Sequence, residues 1–184
     1  MQKFFSKRAN TLLLIFVINF LAGCGYTTQS LLPPSFKTIY VDNFKNSINV
    51  ADEQSNIRMY RGYLPGMETN ITRAVRDRFL LDGNLKVATE EHADIILRAE
   101  LIDYRRDVMK YDINNNVEEY RVKLIVNMTL EDTKTGKVVW EEKGFAGETI
   151  YDTQGQYVKS EDSAVTDTIA DLARRIVERT IEAW

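Results

Sequence analysis

One cysteine and one histidine in 184 residues set the first limits on what this chain can do. His92 alone provides no imidazole cluster for a metal, and its surroundings, Thr89-Glu90-Glu91-His92-Ala93-Asp94, read as an exposed turn. Cys24 has no second cysteine with which to close an internal disulfide. No glycine-rich phosphate loop is visible, and no serine sits in a nucleophile elbow. No apolar run reaches the ~20 residues that a membrane-spanning helix needs. Repeats and low-complexity tracts are also missing. Without a catalytic constellation, the chain reads as a non-enzyme with neither metal nor cofactor. Positive charge is scarce too, with 24 Lys and Arg against 27 Asp and Glu. A nucleic-acid or anionic-membrane binder carries a basic stripe instead.

What is present begins with LLLIFVINFLAGCGY, Leu12 to Tyr26. Lys3, Lys7 and Arg8 precede it, an apolar core runs from Leu12 to Ala22, and small residues lead into Cys24. That is the layout of a secretory signal. Leu21-Ala22-Gly23-Cys24 resembles the bacterial lipobox, in which the cysteine is acylated and becomes the first mature residue. Acylation also disposes of a lone reactive thiol. Each buried methylene is worth about 0.8 kcal/mol and a single chain holds only marginally, but bacterial lipoproteins carry more than one, palmitate among them. Gly25 rather than Asp after the cysteine resembles the enterobacterial pattern for outer-membrane delivery. The expected organisation is a signal peptide over 1–23, a lipidated tether over 24–35 and one domain over 36–184. Losing the signal removes three basic residues and makes the formal charge of −3 three units more negative.

The rest has the 44% hydrophobic content of a folded domain. Pro33-Pro34 stiffens the tether. Phe36 to Phe44 alternates as a strand, with Ile39 and Val41 on one side and Phe36, Thr38 and Tyr40 on the other. Lys45 to Gly62 reads as loop. After Pro65-Gly66, the residues Met67, Ile71, Ala74, Val75 and Phe79 fall at helical spacing, with Arg73, Arg76 and Asp77 outward, and Asp82-Gly83-Asn84 ends the helix. Leu85 to Val87 is a short strand. Two long strands follow, Asp94 to Lys110 and Glu118 to Glu131, joined by the turn composition Asp112 to Val117. The second alternates strictly from Tyr120 to Leu130. Asp132 to Lys137 is a tight turn into a strand from Val138 to Ile150 that holds a buried Trp140, and Gly144 and Gly147 mark a bulge or bend. Ser160 or Ser163 caps a last helix, with Val165, Ile169, Leu172, Ile176 and Val177 as its stripe. The expected class is α+β: a two-layer sandwich in which two helices cover one face of a mostly antiparallel, four-stranded sheet.

Pairing the two long strands with Leu101 opposite Met128 sets Arg98 against Glu131, Tyr104 against Ile125 and Arg106 against Lys123, with Arg121 two residues along. Opposed like charges are mildly destabilising, and a bound anion would relieve them. The face away from the helices would then be part apolar and part cationic, suiting a ligand with acyl chains and phosphates. The same register puts Asp103, Arg105 and Asp107 on the apolar face, a sign of a bulge or of a strand running past the core. Basic and acidic residues balance from Arg98 to Lys123, so a solvated, internally paired face fits as well.

Taken in order, LAGCGY at Leu21 to Tyr26, LPPSFKTIYVDNFKN at Leu32 to Asn46, METNITRAVRDRFLLDGNLKV at Met67 to Val87, ADIILRAELIDYRRD at Ala93 to Asp107, EEYRVKLIVNMTLEDTKTGKVVW at Glu118 to Trp140 and the closing LARRIVERTIEAW resemble the LPS-assembly lipoprotein family, LptE. The resemblance implies a lipid-anchored protein on the periplasmic side of the outer membrane. It implies a plug inside the β-barrel LptD that helps the barrel assemble, and contact with lipopolysaccharide during insertion into the outer leaflet. It carries over no catalytic residue and no cofactor. It makes basic side chains on a sheet or loop the candidate contacts for lipopolysaccharide or a partner: Arg106, Arg121, Lys123, Lys134 and Lys137. Other interaction lipoproteins, activators of secretion channels or of cell-wall synthases, combine an early strand, a helix and an Ala-Asp strand start in the same way and are the alternative.

Overall fold

The computed structural model describes residues 33–48 and 65–182. The expected signal, Cys24, most of the tether, the greater part of the expected 45–62 loop and the last two residues lie outside the described residues. Strand β1 (Thr38–Val41) buries Ile39 and Val41 completely. Helix α1 (Met67–Asp82) follows and buries Met67, Ile71, Thr72, Val75 and Phe79, one side of a 3.6-residue period. It stops where Gly83 takes φ 78° and donates its N–H to the Phe79 carbonyl. A left-handed residue there costs glycine nothing. Arg76, expected outward, folds back and donates to the Val41 carbonyl at 2.7 Å.

Helix α1 returns the chain so that β3 (Lys86–Val87) runs parallel to β1. On the other side of β1 lies β4 (Ile95–Tyr111), also parallel, and β2 (Lys45–Asn46) pairs parallel with β4 farther along. Then β4, β5 (Val117–Asp132) and β6 (Val138–Asp152) form an antiparallel meander. The sheet is therefore mixed and six-stranded, in the order β3-β1-β4-β5-β6 with β2 off the path. This corrects the expected mostly antiparallel, four-stranded sheet. A helix inserted between two neighbouring strands is what a parallel pair requires, and β2 is too short to leave a pattern. The α+β class stands.

One core gathers the inner face of the sheet and both helices: Ile95, Leu97, Leu101, Leu124, Val126 and Leu130 from the meander, and Ile169, Leu172, Ile176 and Val177 from α2 (Glu161–Glu182). Ser160 caps α2, its Oγ accepting the Ser163 N–H at 3.2 Å. Against β6 the helix comes very close at Gly147, where a Cβ would lie 2.5 Å from Leu172 Cβ. That glycine is a packing requirement, whereas Gly144, at φ 68° beside the Val126/Met128 register shift, is the bulge. Arg175 lies over Phe145 at 5.6 Å and Arg179 over Trp140 at 5.0 Å. Trp140 is thus half-buried under an arginine rather than buried in the core.

At the other end, Asp94 joins three elements. Its Oδ2 accepts from the backbone of Lys37 and Thr38 and from the Thr38 hydroxyl, and Oδ1 takes Lys134 Nζ at 2.7 Å. The lysine and the backbone donors together hold this carboxyl well below the usual carboxylate range.

Candidate interaction surface at the hairpin end

The register of β4 on β5 decides where the candidate cations go. Leu97 pairs with Leu130, Ala99 with Met128 and Leu101 with Val126; a bulge at Ile102 then shifts the count, so that Tyr104 meets Leu124 and Arg106 meets Val122. Each partner falls on the helix face. The expected pairing was off by two residues before the bulge and one after it. Arg98 stands opposite Thr129 and still reaches Glu131 diagonally at 3.3 Å, while also holding Asp42 and Glu90.

This separates the expected cluster. Arg106 points to the helix face, where its guanidinium donates to Glu161 and lies 4.6 Å over the Tyr120 ring. Tyr120 in turn stacks on Tyr151 at 5.8 Å. Tyr104 donates its hydroxyl to the other Glu161 oxygen at 2.8 Å; burial and that carboxylate push the phenol well above its usual range. Arg106 is a tie between β4 and α2, not an open ligand contact.

Arg121 and Lys123 remain together on the open face. Both share one carboxylate, Glu148 of β6, at 3.9 and 3.5 Å. The residue opposite Lys123 is Arg105, which donates to Asp103 at 2.6 Å. Arg121 Nε is buried with no hydrogen-bond partner among the described residues. Asp107 stands opposite Arg121, so the three cations of this spot, Arg105, Arg121 and Lys123, face three carboxylates, with Arg121 and Lys123 only loosely held by Glu148. Lys134 is elsewhere, on Asp94 at the far end of the sheet, and Lys137 lies exposed in the same turn. The five candidates therefore fall in three places. Nearer that far end the open face carries a polar cleft of about 320 Å³ lined by Asp42, Arg98, Glu100, Asn127 and Lys143.

Past Arg106, β4 and β5 continue beyond the helical layer for five residues, about 17 Å of strand. There Val108, Met109, Tyr111 and Ile113 are exposed, Ile113 fully, at 101%. Asp112 organises the turn by accepting from the Asn114 and Asn116 backbone, and Asn115 takes φ 66°. Beside it runs the β6–α2 segment, tied by Thr153 to the Val117 carbonyl at 2.6 Å and by the Asp152–Val158 bridge. That segment exposes Tyr157, at 74%, and Val158. Sequence reasoning overlooked these residues. The usable signal was the apolar run Val108, Met109, Tyr111 and Ile113, which resumes after the polar stretch Asp103 to Asp107 and carries on into the turn. Among the described residues no group of three or more His, Cys, Asp or Glu could hold a metal, and no helix is long and apolar enough to cross a membrane.

Two helices packed on one side of a mixed sheet whose hairpin outruns them define a two-layer α+β domain with an exposed apolar end. A protein from Xanthomonas campestris shares this fold, with a TM-score of 0.53 at 13% identity over 84% of this chain and 92% of that one. Rare lipoprotein B from Shewanella oneidensis is similar at a TM-score of 0.46 and 19% identity, covering 78% of this chain and 93% of that one. The PelC dodecamer subunit from Paraburkholderia phytofirmans gives 0.46 and 12%, over 84% and 94%. A comparison with curated protein sequences finds no match. The family model for lipopolysaccharide-assembly, LptE, matches residues 36–180, and the chain belongs to that family of non-enzymatic lipoproteins.

Proposed function

We propose that this protein is acylated at Cys24 after removal of 1–23 and sits on the periplasmic side of the outer membrane. There it plugs and helps to assemble the lipopolysaccharide-translocating barrel LptD, and contributes to inserting lipopolysaccharide into the outer leaflet. Family membership supports the process. The observation that carries the partner reading is the hairpin end. Met109, Tyr111, Ile113, Tyr157 and Val158 leave large apolar side chains in water without a core to join, a pattern that marks interaction surfaces. Lys110 and Lys159 flank them, each held by carboxylates, on Glu118 at 3.1 Å and on Asp167 at 2.7 Å. The Arg121–Lys123 pair on the open face is the better-placed of the candidate anion contacts, because Arg106 is committed to Glu161.

The test is affinity recovery of the tagged mature protein from detergent-solubilised membranes, with mass spectrometry of what accompanies it. A large outer-membrane barrel in equal amount, reduced by Ile113→Asp, supports the plug reading. Paired Arg121→Asp and Lys123→Asp changes ask separately whether lipopolysaccharide recovery depends on the open face. Recovery of a secretion channel or a cell-wall synthase instead would overturn the reading.

A further inference from the structure

The exposed apolar residues at the hairpin end come from two separate chain segments. Thr153 and Gln154 tie the start of the second to the Val117 carbonyl, and one side chain, Glu161, ties its other end to β4. Tyr157 and Val158 belong to a connection that leaves β6 at Asp152 and enters α2 at Glu161. Lys159 N–H to the Asp152 carbonyl at 3.0 Å and the Asp152–Val158 bridge hold it at one end. At the other end stands Glu161, the first residue of the helix. Its two carboxylate oxygens are divided between two residues of the hairpin strand: Oε1 takes the Tyr104 hydroxyl at 2.8 Å and Oε2 takes the Arg106 guanidinium. Tyr104 and Arg106 are two apart in β4 and so share a face. Both donors are shielded, Tyr104 at 2% exposure and the Arg106 side chain at 20%. A carboxylate at a helix N-terminus is also favoured by the helix dipole.

We infer that Glu161 is a positioning residue for the partner surface: by bonding Tyr104 and Arg106 together it seats the Tyr157–Val158 connection beside the Met109–Ile113 end, so that two short apolar segments present one surface. This rests on the reading of the hairpin end as partner-facing. The chemistry is specific to glutamate. Glutamine keeps one carbonyl acceptor but turns an NH2 toward Arg106 or Tyr104, and aspartate is a methylene short of both donors.

The experiment uses the full chain in detergent, with two readouts: amide hydrogen exchange, and recovery of the barrel. In Glu161→Gln the Lys159 amide, which donates to the Asp152 carbonyl, is expected to exchange at least about tenfold faster, the loss of one charge-assisted hydrogen bond. Amides of Ala99–Leu101 and Val126–Met128 should keep their protection, and barrel recovery should fall as it does in Ile113→Asp. Unchanged exchange at Lys159 overturns the inference. So does faster exchange there with full barrel recovery while Ile113→Asp still loses the barrel. If Ile113→Asp itself recovers the barrel in full, the surface reading falls and takes this inference with it. If Glu161→Gln loses protection throughout the sheet, Tyr104→Phe, which leaves the Arg106 bond in place, is used. A local increase in exchange with reduced recovery then supports the inference, and no local change overturns it.

Discussion

Substituting Gly147 by alanine should separate the two layers. Its φ is not in the left-handed region, so the backbone accepts any residue and the whole effect comes from contact. The new methyl would stand 2.5 Å from Leu172 Cβ, 2.6 Å from its Cα and 2.7 Å from its N, where carbon atoms prefer about 3.5–4.0 Å. Two of the three clashing atoms are helix backbone, so no rotamer change clears them; β6 and α2 must part by about 1 Å. Overpacking by one methylene costs about 1–3 kcal/mol. The same seam carries the Glu148 N–H to Asp171 bond and the Arg175–Phe145 contact, which are strained together, so the expected loss is at the upper end, about 3 kcal/mol. For a domain of this size each kcal/mol moves Tm by about 2–4 °C, giving a fall of roughly 6–12 °C. Urea and thermal unfolding followed by circular dichroism measure it. Leu172→Ala does not relieve the clash, since alanine keeps the Cβ, Cα and N that cause it. A Gly147→Ala stability within about 0.5 kcal/mol of wild type, the range of neutral surface changes, would refute the argument that α2 is seated on β6 at this point.

Other expectations follow from separate features. Asp94 has its folded pKa depressed, so its contribution to stability is complete above the unfolded value of about 3.9 and is lost as pH falls below it. Urea midpoints measured from pH 6 down to 2.5 should drop less steeply in Asp94→Asn, which is already weakened at pH 6; parallel curves would contradict this. Arg179→Ala removes both the stacking on Trp140 and the bond to Glu142 at 2.7 Å. It should cost about 1–2 kcal/mol and red-shift Trp140 emission in a Trp184→Phe background; an unshifted spectrum would count against the contact. Met109→Asp and Ile113→Asp should leave Tm nearly unchanged, within about 0.5 kcal/mol, because neither side chain joins the core; a fall of several degrees would show that the hairpin end carries stability.

Much of the architecture was legible where burial imposes a period. Ile39 and Val41, the Met67–Phe79 stripe, the alternation from Val122 to Leu130 and the α2 stripe all reappear in the core. Parallel pairing around β1 was not read, although the helix between β1 and β3 implies it. The bulge at Ile102 was visible only as Asp103, Arg105 and Asp107 on the wrong face. Of the two explanations this suggested, both hold: the strand bulges, and it runs past the core. Because a shift of one residue exchanges the faces, that single bulge sent Arg106 inward to Glu161 and broke up the expected cationic row. Arg121 and Lys123 kept their place because β5 is regular there. The exposed end escaped because Ile113 was read only as part of a turn and Met109 and Tyr111 were given no role, and only tertiary structure says where the core stops.

The sheet is longer than the layer that stabilises it. At about 1.5 Å per residue α2 spans roughly 33 Å, whereas β4 at about 3.3 Å per residue spans more than 50 Å. The excess is built of backbone pairing that the helices do not underwrite, so its side chains answer to whatever they touch and hardly to the folding equilibrium. Substitutions there can accumulate at little risk to the scaffold. If this end faces the partner as proposed, selection on stability and selection on partner choice act on different residues of one continuous strand, with the frontier near Arg106.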